Sequence, residues 1–413
     1  MTPPPRTEDN IDAIIRREST RLTAALVAHL GTHQLALAED VAQDAMLTAL
    51  QNWQHRDVPR QPGAWLRRVA MNRAIDVLRR HQRETGFEEE DTATPPAREP
   101  AFDGIEDGEL RLLYLGCHPV LPARDQVILC LQLAAGFTAK DIATLLLQPA
   151  GTVAQRLVRL KARLRDSTDI ASLPTETLAE RISPVLKVLY LMFCAGYLPA
   201  RGDAVVRRDL VEEALRLAGL MFDKWPQHPE IAALNALFNL QASRLEARDA
   251  GGRLVTLANQ DRQAWNEGLI RKAIRYLDQS QQSDVVTRYH LEAAIALEHA
   301  TAKSFAETNW ANIETLYGQL ETMTGSPAVS VSRALAMHYN GNTSAALALL
   351  ELLENDSGMT GYPPYHAAMA ELARASGNTS RARKAADRAR DLSQNASIRD
   401  HLDERFAGLD LLG

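Results

Sequence analysis

Residues 137–164 read FTAKDIATLLLQPAGTVAQRLVRLKARL, and this stretch decides the fold class. Thr138 suits a helix N-cap, and Asp141, three residues on, can return its carboxylate to the cap backbone. Ile142, Ala143, Leu145 and Leu146 supply the inner face of that first helix. Pro149 fits the opening of a second helix, where its missing N–H costs nothing. At about 100° per residue, Val153, Leu157, Leu160 and Leu164 gather on a packing side. Thr152, Gln155, Arg156, Arg159 and Arg163 gather on another. The pattern predicts a helix-turn-helix whose second helix reaches base edges and phosphates in a major groove. Gln can pair with adenine and Arg with guanine, and both Arg and Lys neutralise phosphate. The bland alternative is a solvated basic helix in a bundle.

A second basic helix lies upstream, in PGAWLRRVAMNRAIDVLRRHQR (residues 62–83). Leu66, Val69, Ala70, Ala74 and Val77 are expected to be its buried side. Arg68, Asn72, Asp76, Arg79 and Arg83 share a stripe with Trp65. Arginine and asparagine beside an indole suit single-stranded or distorted DNA, because a ring can stack on an unpaired base. Taken alone the stripe reads as a solvated face and Trp65 as core; the second basic helix strengthens the functional reading. Two further helices are expected before it, Ile11–Leu30 and Ala38–Trp53, with a polar, proline-containing loop at Gln54–Gln61. Glu39, Asp40, Gln43 and Asp44 stand near the start of the second, where acids favour the helix dipole. A protein-docking face is the alternative.

The charge distribution agrees with two cationic helices. Net charge over the 413 residues is −6, yet residues 60–83 hold seven Arg against the single acid Asp76. Residues 84–109 hold ten acids against Arg98, and residues 151–165 hold five basic residues and no acid. Such blocks say more than the sum. The acidic, proline-containing segment between the helices reads as a linker, although Glu88–Asp91 could compete with DNA for the basic helices.

Composition bounds the rest. At 46% apolar, 24% charged and only 5% aromatic, with Leu and Ala abundant, the chain is expected to be all-α, and a disordered or fibrous chain is excluded. Cys117, Cys130 and Cys194 imply neither a disulfide framework nor zinc. Cys117-His118 cannot complete a tetrahedral site and reads as a packed turn ended by Pro119. No Walker A loop and no dinucleotide-binding glycine fingerprint occurs, so no catalytic residue, cofactor or metal is expected. The longest apolar run, Val185–Leu198, is 14 residues and interrupted by Lys187, which reads as a core helix rather than a membrane span. MTPPPRTEDN lacks the regions of a signal peptide, and the cytoplasm is the expected compartment.

From about Ile170 onward the pattern is nearly all helical and carries an internal repeat. Gly341-Asn-Thr-Ser344 recurs as Gly377-Asn-Thr-Ser380, and Pro327 recurs as Pro363, both at an offset of 36. Each copy reads as proline, helix, turn, helix, close to the tetratricopeptide period. A turn shared by two unrelated helical hairpins is the alternative. The expected organisation is 1–84, a first helical domain; 85–104, the acidic linker; 105–168, the helix-turn-helix domain; and 169–413, a helical repeat extension.

In their order, AEDVAQDAMLTALQNW, PGAWLRRVAMNRAIDVLRR, the acidic linker and the helix-turn-helix resemble the extracytoplasmic-function sigma factors of bacterial RNA polymerase. The extension is similar to that of one sigma subgroup, through Cys117-His118-Pro119, Gly196-Tyr197, Gln260-Asp261-Arg262 with Trp265, Thr308-Asn309-Trp310, Leu316-Tyr317 and Ser326-Pro327. The resemblance implies that Asp40, Gln43, Asp44 and Leu47 dock on the β′ clamp helices, with the β flap a further contact on the core enzyme. It implies that the Gln54–Gln61 loop captures a base flipped from the −10 element. Trp65, Arg68, Asn72, Arg73, Arg79 and Arg80 would hold that element in promoter DNA. Thr152, Gln155, Arg156, Arg159 and Arg163 would read the −35 element. The repeats would take a regulatory protein or peptide, acting in cis or on the polymerase. Ala150 stands where many relatives carry Glu, and Cys194-Ala195 and Ser332 stand where the subgroup more often has Asn-Glu and Asn. Two rival readings are a DNA-binding regulator with a tetratricopeptide-like sensor, and a helical scaffold with merely solvated basic faces.

Overall fold

In a computed structural model of the chain, the described residues are 7–31, 34–54, 57–85, 105–146, 148–166, 175–281 and 285–407. The chain is 76% helical, the all-α class its composition implies. It divides into two compact units, residues 1–188 and 189–413. The two cationic helices thus share one unit. The acidic linker, from residue 86 to 104, lies outside the described residues.

The first unit opens with α1 (Thr7–Leu30), α2 (Leu35–Trp53) and α3 (Pro62–Thr85). Leu22, Leu26 and Val27 of α1, Ala38, Val41, Ala42, Ala45 and Ala49 of α2, and Leu66, Ala70 and Ala74 of α3 are buried. These three- and four-residue steps keep one side of each helix inward, and the alanines let the backbones approach. Trp53, buried at the end of α2, lies 5.5 Å from the Trp65 ring, so the Trp65 indole is half in the core. One expectation fails here. Val69 is only half-buried and Val77 is 42% exposed, because full burial along α3 ends at Ala74 among the described side chains.

Next come α4 (Gly108–Gly116), α5 (Ala123–Ala135), α6 (Ala139–Leu145) and α7 (Ala150–Asp166). Asp107 caps α4 by accepting from the Leu110 amide at 2.9 Å. Gly136 ends α5 at φ 64°, a left-handed residue that glycine adopts without penalty. The capping box on α6 is complete: Thr138 Oγ1 accepts from the Asp141 amide at 3.2 Å, and Asp141 Oδ2 accepts from the Thr138 amide at 3.0 Å. Pro149 stands one place before α7, its carbonyl accepting from Thr152 and Val153. Val153, Leu157 and Leu160 are buried as expected, while the Leu164 side chain lies outside the described set. Ile142 and Ala143 are buried, but Leu145 and Leu146 are only half so, since α6 ends at Leu145.

Cys117 and His118 are buried in the turn after α4. His118 Nδ1 accepts from the Val120 amide at 2.9 Å, and the Gln126 side-chain amide donates to the carbonyls of His118 and Leu121. Cys117 and Cys130 are free thiols with sulfurs 3.5 Å apart. No described helix is long and apolar enough to cross a membrane.

The second unit begins within α8 (Ile182–Tyr197) and continues through α9 (Arg208–Lys224), α10 (Pro229–Ala242), α11 (Leu245–Arg248), α12 (Glu267–Ser280), α13 (Arg288–Thr301) and α14 (Trp310–Thr324). Helix α10 is buried on every side from Ile231 to Leu240, and Phe238 stacks on Phe193 with centroids 4.2 Å apart. Its two buried asparagines are tied to backbone: Asn235 Nδ2 donates to the carbonyls of Ala218 and Ile231, and Asn239 Nδ2 to that of Asn235. The repeat follows as α15 (Pro327–Tyr339) with α16 (Thr343–Leu352), and α17 (Pro363–Ala375) with α18 (Thr379–Leu392). Both first helices start on the matching proline and both turns use a left-handed glycine, Gly341 at φ 93° and Gly377 at φ 78°. Finally β2 (Gln394–Asn395) pairs parallel with β1 (Arg201–Gly202) before α19 (Ala396–Phe406). Asn395 Nδ2 donates to the carbonyls of Pro199 and Ala204, tying the unit's last segment to its first loop.

Burial, with Arg244 and Arg262 nearby, holds His299 neutral and brings its pKa down to about 3. A base whose folded pKa lies below its unfolded value favours folding fully only above the unfolded value, near 6.5, and that contribution fades as pH falls toward 3. The second unit is therefore expected to lose stability on acidification across that window, and His299→Gln to flatten the loss. Urea unfolding followed by circular dichroism from neutral pH downward measures it. His228, His290, His338, His366 and His401 are also lowered by burial, so the decisive quantity is the difference between parent and variant.

Candidate nucleic-acid interface

Three helix faces of the first unit carry the candidate residues. On α2, Asp40, Gln43 and Leu47 are exposed and Asp44 is half-buried, spaced so that all four fall on one stripe. Leu47 is 51% exposed, an uncovered leucine among polar neighbours. On α3, Arg67, Arg68, Asn72, Arg73, Arg79 and Arg80 are all exposed, and Asp76 is the one acid of that face among the described side chains. Trp65 is half-buried against Trp53 at the head of the stripe, so only part of its side chain faces outward. The Arg83 side chain lies outside the described set.

On α7, Thr152, Gln155, Arg159 and Arg163 are exposed, opposite the buried Val153, Leu157 and Leu160. Arg156 departs from the expectation. It is half-buried, and its Nε lies 3.5 Å from Asp125 Oδ1 in the first turn of α5. A guanidinium held by a partly buried carboxylate of its own domain is less available to DNA than its neighbours. Two other ion pairs tie candidate faces together. Arg73 Nε meets Asp44 Oδ2 at 2.8 Å, linking α3 to α2, and Lys161 Nζ meets Glu39 Oε1 at 2.7 Å, linking α7 to α2. The Arg73–Asp44 pair is largely exposed and stabilises by at most about 1 kcal/mol, while the Lys161–Glu39 pair is half-buried.

Two features escape the sequence reading. Val158 is 71% exposed on α7 beside Gln155, an apolar group placed where a thymine methyl could be met. A cavity of about 370 Å³ opens between α1 and the start of α3, lined by Glu18, Arg21, Leu22, Gln61, Gly63 and Arg67 among others. Gln61 closes the proline-containing loop, but Glu18 and Arg21 are 43 and 40 positions away from it in the chain. Only the packing of α1 on α3 brings them there.

Comparison with known proteins supplies an independent line. A family model described as sigma-70 region 2 matches residues 14–84. A second, described as a family of unknown function (DUF6596), matches residues 181–281. An uncharacterized protein of Rhizobium meliloti is 37% identical over 390 residues, covering 90% of this chain and 91% of its own. The probable RNA polymerase sigma factor RfaY of Xanthomonas campestris pv. campestris is 32% identical over 151 residues, 35% of this chain and 37% of its own length. No solved structure matches.

Proposed function

We propose that this chain, which a sigma-70 region 2 model matches over residues 14–84, is a sigma-70 family member and an alternative sigma factor of the extracytoplasmic-function type. It would direct bacterial RNA polymerase to promoters through −10 and −35 contacts. The observation that carries the reading is the sorting of side chains on α3 and α7. Leu66, Ala70 and Ala74 of α3 and Val153, Leu157 and Leu160 of α7 are buried while Arg68, Asn72, Arg79, Arg80, Gln155, Arg159 and Arg163 stand in solvent.

In this reading α2 offers Asp40, Gln43, Asp44 and Leu47 to the β′ clamp helices of the core enzyme. The α3 arginines hold the backbone of the −10 element, and the outward part of Trp65 is available to an unstacked base. The cavity at Gln61 has room for a flipped base. The α6–α7 pair acts as the helix-turn-helix and α7 enters the major groove of the −35 element. Strand opening draws on binding energy alone: stacking and phosphate contacts replace base pairing at a few kcal/mol per base. The protein is on this account not an enzyme. The helix pairs α15–α16 and α17–α18 form a tetratricopeptide-like surface for a regulatory protein or peptide.

In vitro transcription with core polymerase and a genomic promoter pool tests this directly. Sequence-selective transcripts are expected, with promoter affinity falling steeply with salt because several phosphates are neutralised. A chain that fails to bind core enzyme overturns the proposal. Duplex binding without polymerase would favour a DNA-binding regulator, and a flat salt dependence would favour a scaffold.

A further inference from the structure

In the second unit, two guanidiniums converge on one phenol ring. Arg248, at the end of α11, lies 4.4 Å from the Tyr197 ring centroid, and Arg244, which precedes α11, lies 5.5 Å from it. Neither has a carboxylate within salt-bridge distance among the described residues. The acids of the same segment are engaged elsewhere: Glu246 pairs with Arg208, and Asp249 Oδ1 accepts from the Gly252 amide at 2.7 Å. Arg248 Nε is buried without a well-aligned hydrogen bond, and its guanidinium lies against the Tyr197 ring and within reach of the Tyr197 hydroxyl. Arg244 has one hydrogen bond from its side chain, to Gln241.

A third guanidinium stands in the same neighbourhood but is spoken for. Arg262 stacks over Trp265 at 4.9 Å and donates to the carbonyls of His299 and Ala302, the negative end of the α13 dipole. His299 stays neutral between Arg244 and Arg262, with a buried Nδ1 that has no partner. Two positive charges without a carboxylate partner among the described residues remain, on the half-buried Arg244 and Arg248. Half-buried guanidiniums that lack a carboxylate partner offer an incoming anion charge-assisted hydrogen bonds.

We infer that Arg244 and Arg248, beside Tyr197, form a binding site for the phosphate group of a small phosphorylated ligand. Charge selects phosphate over carboxylate. A dianion matches two guanidiniums, whereas a carboxylate leaves one of them unpaired. Guanidinium geometry favours the same choice, since its planar fork meets two phosphate oxygens at once. The site lies wholly in the second unit, so it is independent of the promoter-binding reading of the first.

The test uses the full-length protein and inorganic phosphate, titrated calorimetrically at mildly alkaline pH with ionic strength held by sodium chloride. Saturable binding is expected. Arg248→Met and Arg244→Met should each weaken it about tenfold or more, the loss of one charge-assisted contact. Tyr197→Phe should weaken it less, and Arg271→Met, on the exposed surface of α12, should leave it unchanged. Circular dichroism monitors folding; should the methionine variants lose helix, Tyr197→Phe decides, because it removes only a hydroxyl. The proposal is overturned if phosphate gives no saturable signal beyond the chloride control or if all three site variants bind like the parent. It is equally overturned if acetate competes as well as phosphate, or if a short DNA duplex binds here while inorganic phosphate does not.

Discussion

Leu47→Glu is expected to leave the protein folded and to abolish its capture by core RNA polymerase. Leu47 is half in solvent and contributes nothing to the α1–α2–α3 core, so the substitution should change stability by less than about 0.5 kcal/mol. In the proposed complex the same position closes the α2 stripe, one turn on from Gln43 and Asp44. A carboxylate desolvated there loses the apolar contact and pays for its own burial, an effect of the size seen at interface hot spots, about 2–4 kcal/mol or roughly 30- to 1,000-fold in affinity. Co-elution of purified chain and core enzyme on gel filtration reads the loss, and a melting curve reads the fold. Parent-like capture with an unchanged melting curve would remove α2 from the polymerase interface and, with it, the reason for the exposed leucine.

Sequence periodicity was a good guide wherever a helix packs on its immediate neighbour. Leu66, Ala70 and Ala74, and Val153, Leu157 and Leu160, are inward as their spacing requires, because a helix that buries one side must place apolar groups every three or four residues. The Thr138–Asp141 box was equally legible, since its partners lie three residues apart. What periodicity could not give is the identity of the partner across space. Arg156 lies on the same arc of α7 as Gln155 and Arg159, but Asp125 of α5, 31 positions earlier, withdraws it. Asp44 and Arg73, assigned by resemblance to different partners, pair with each other. Val77 shows the converse limit: its side of α3 was right, but periodicity does not say where along a helix the covering neighbours stop.

The ion pairs also bear on whether the two cationic faces are free to act. Arg68, Arg79, Arg80, Arg159 and Arg163 stand in solvent, so no unfolding is needed before they meet phosphate. The half-buried Lys161–Glu39 pair holds α7 to α2 across 122 residues of chain, and neither residue belongs to the exposed arginine faces. Those arginines can thus meet phosphate without that pair being broken.

On α7 the structure separates residues that the sequence grouped together, and the separation gives the sharpest expected contrast. Gln155→Ala and Arg159→Ala should each cost promoter binding about 1–3 kcal/mol and relax the preference for the base pair each one reads, because both side chains are exposed and have no side-chain partner among the described residues. Arg163→Ala should weaken all sequences alike and lower the slope of affinity against salt by about one, the signature of a phosphate contact. Arg156→Ala should behave differently from all three. It strands Asp125, a half-buried carboxylate, so its effect belongs in the melting temperature of the first unit, with base preference unchanged. Binding of each variant to a panel of −35 sequences at two salt concentrations, beside a melting curve, distinguishes the four. If Arg156→Ala alters base preference while Gln155→Ala and Arg159→Ala do not, α7 is not read from its solvent face, and the assignment of that face to DNA fails.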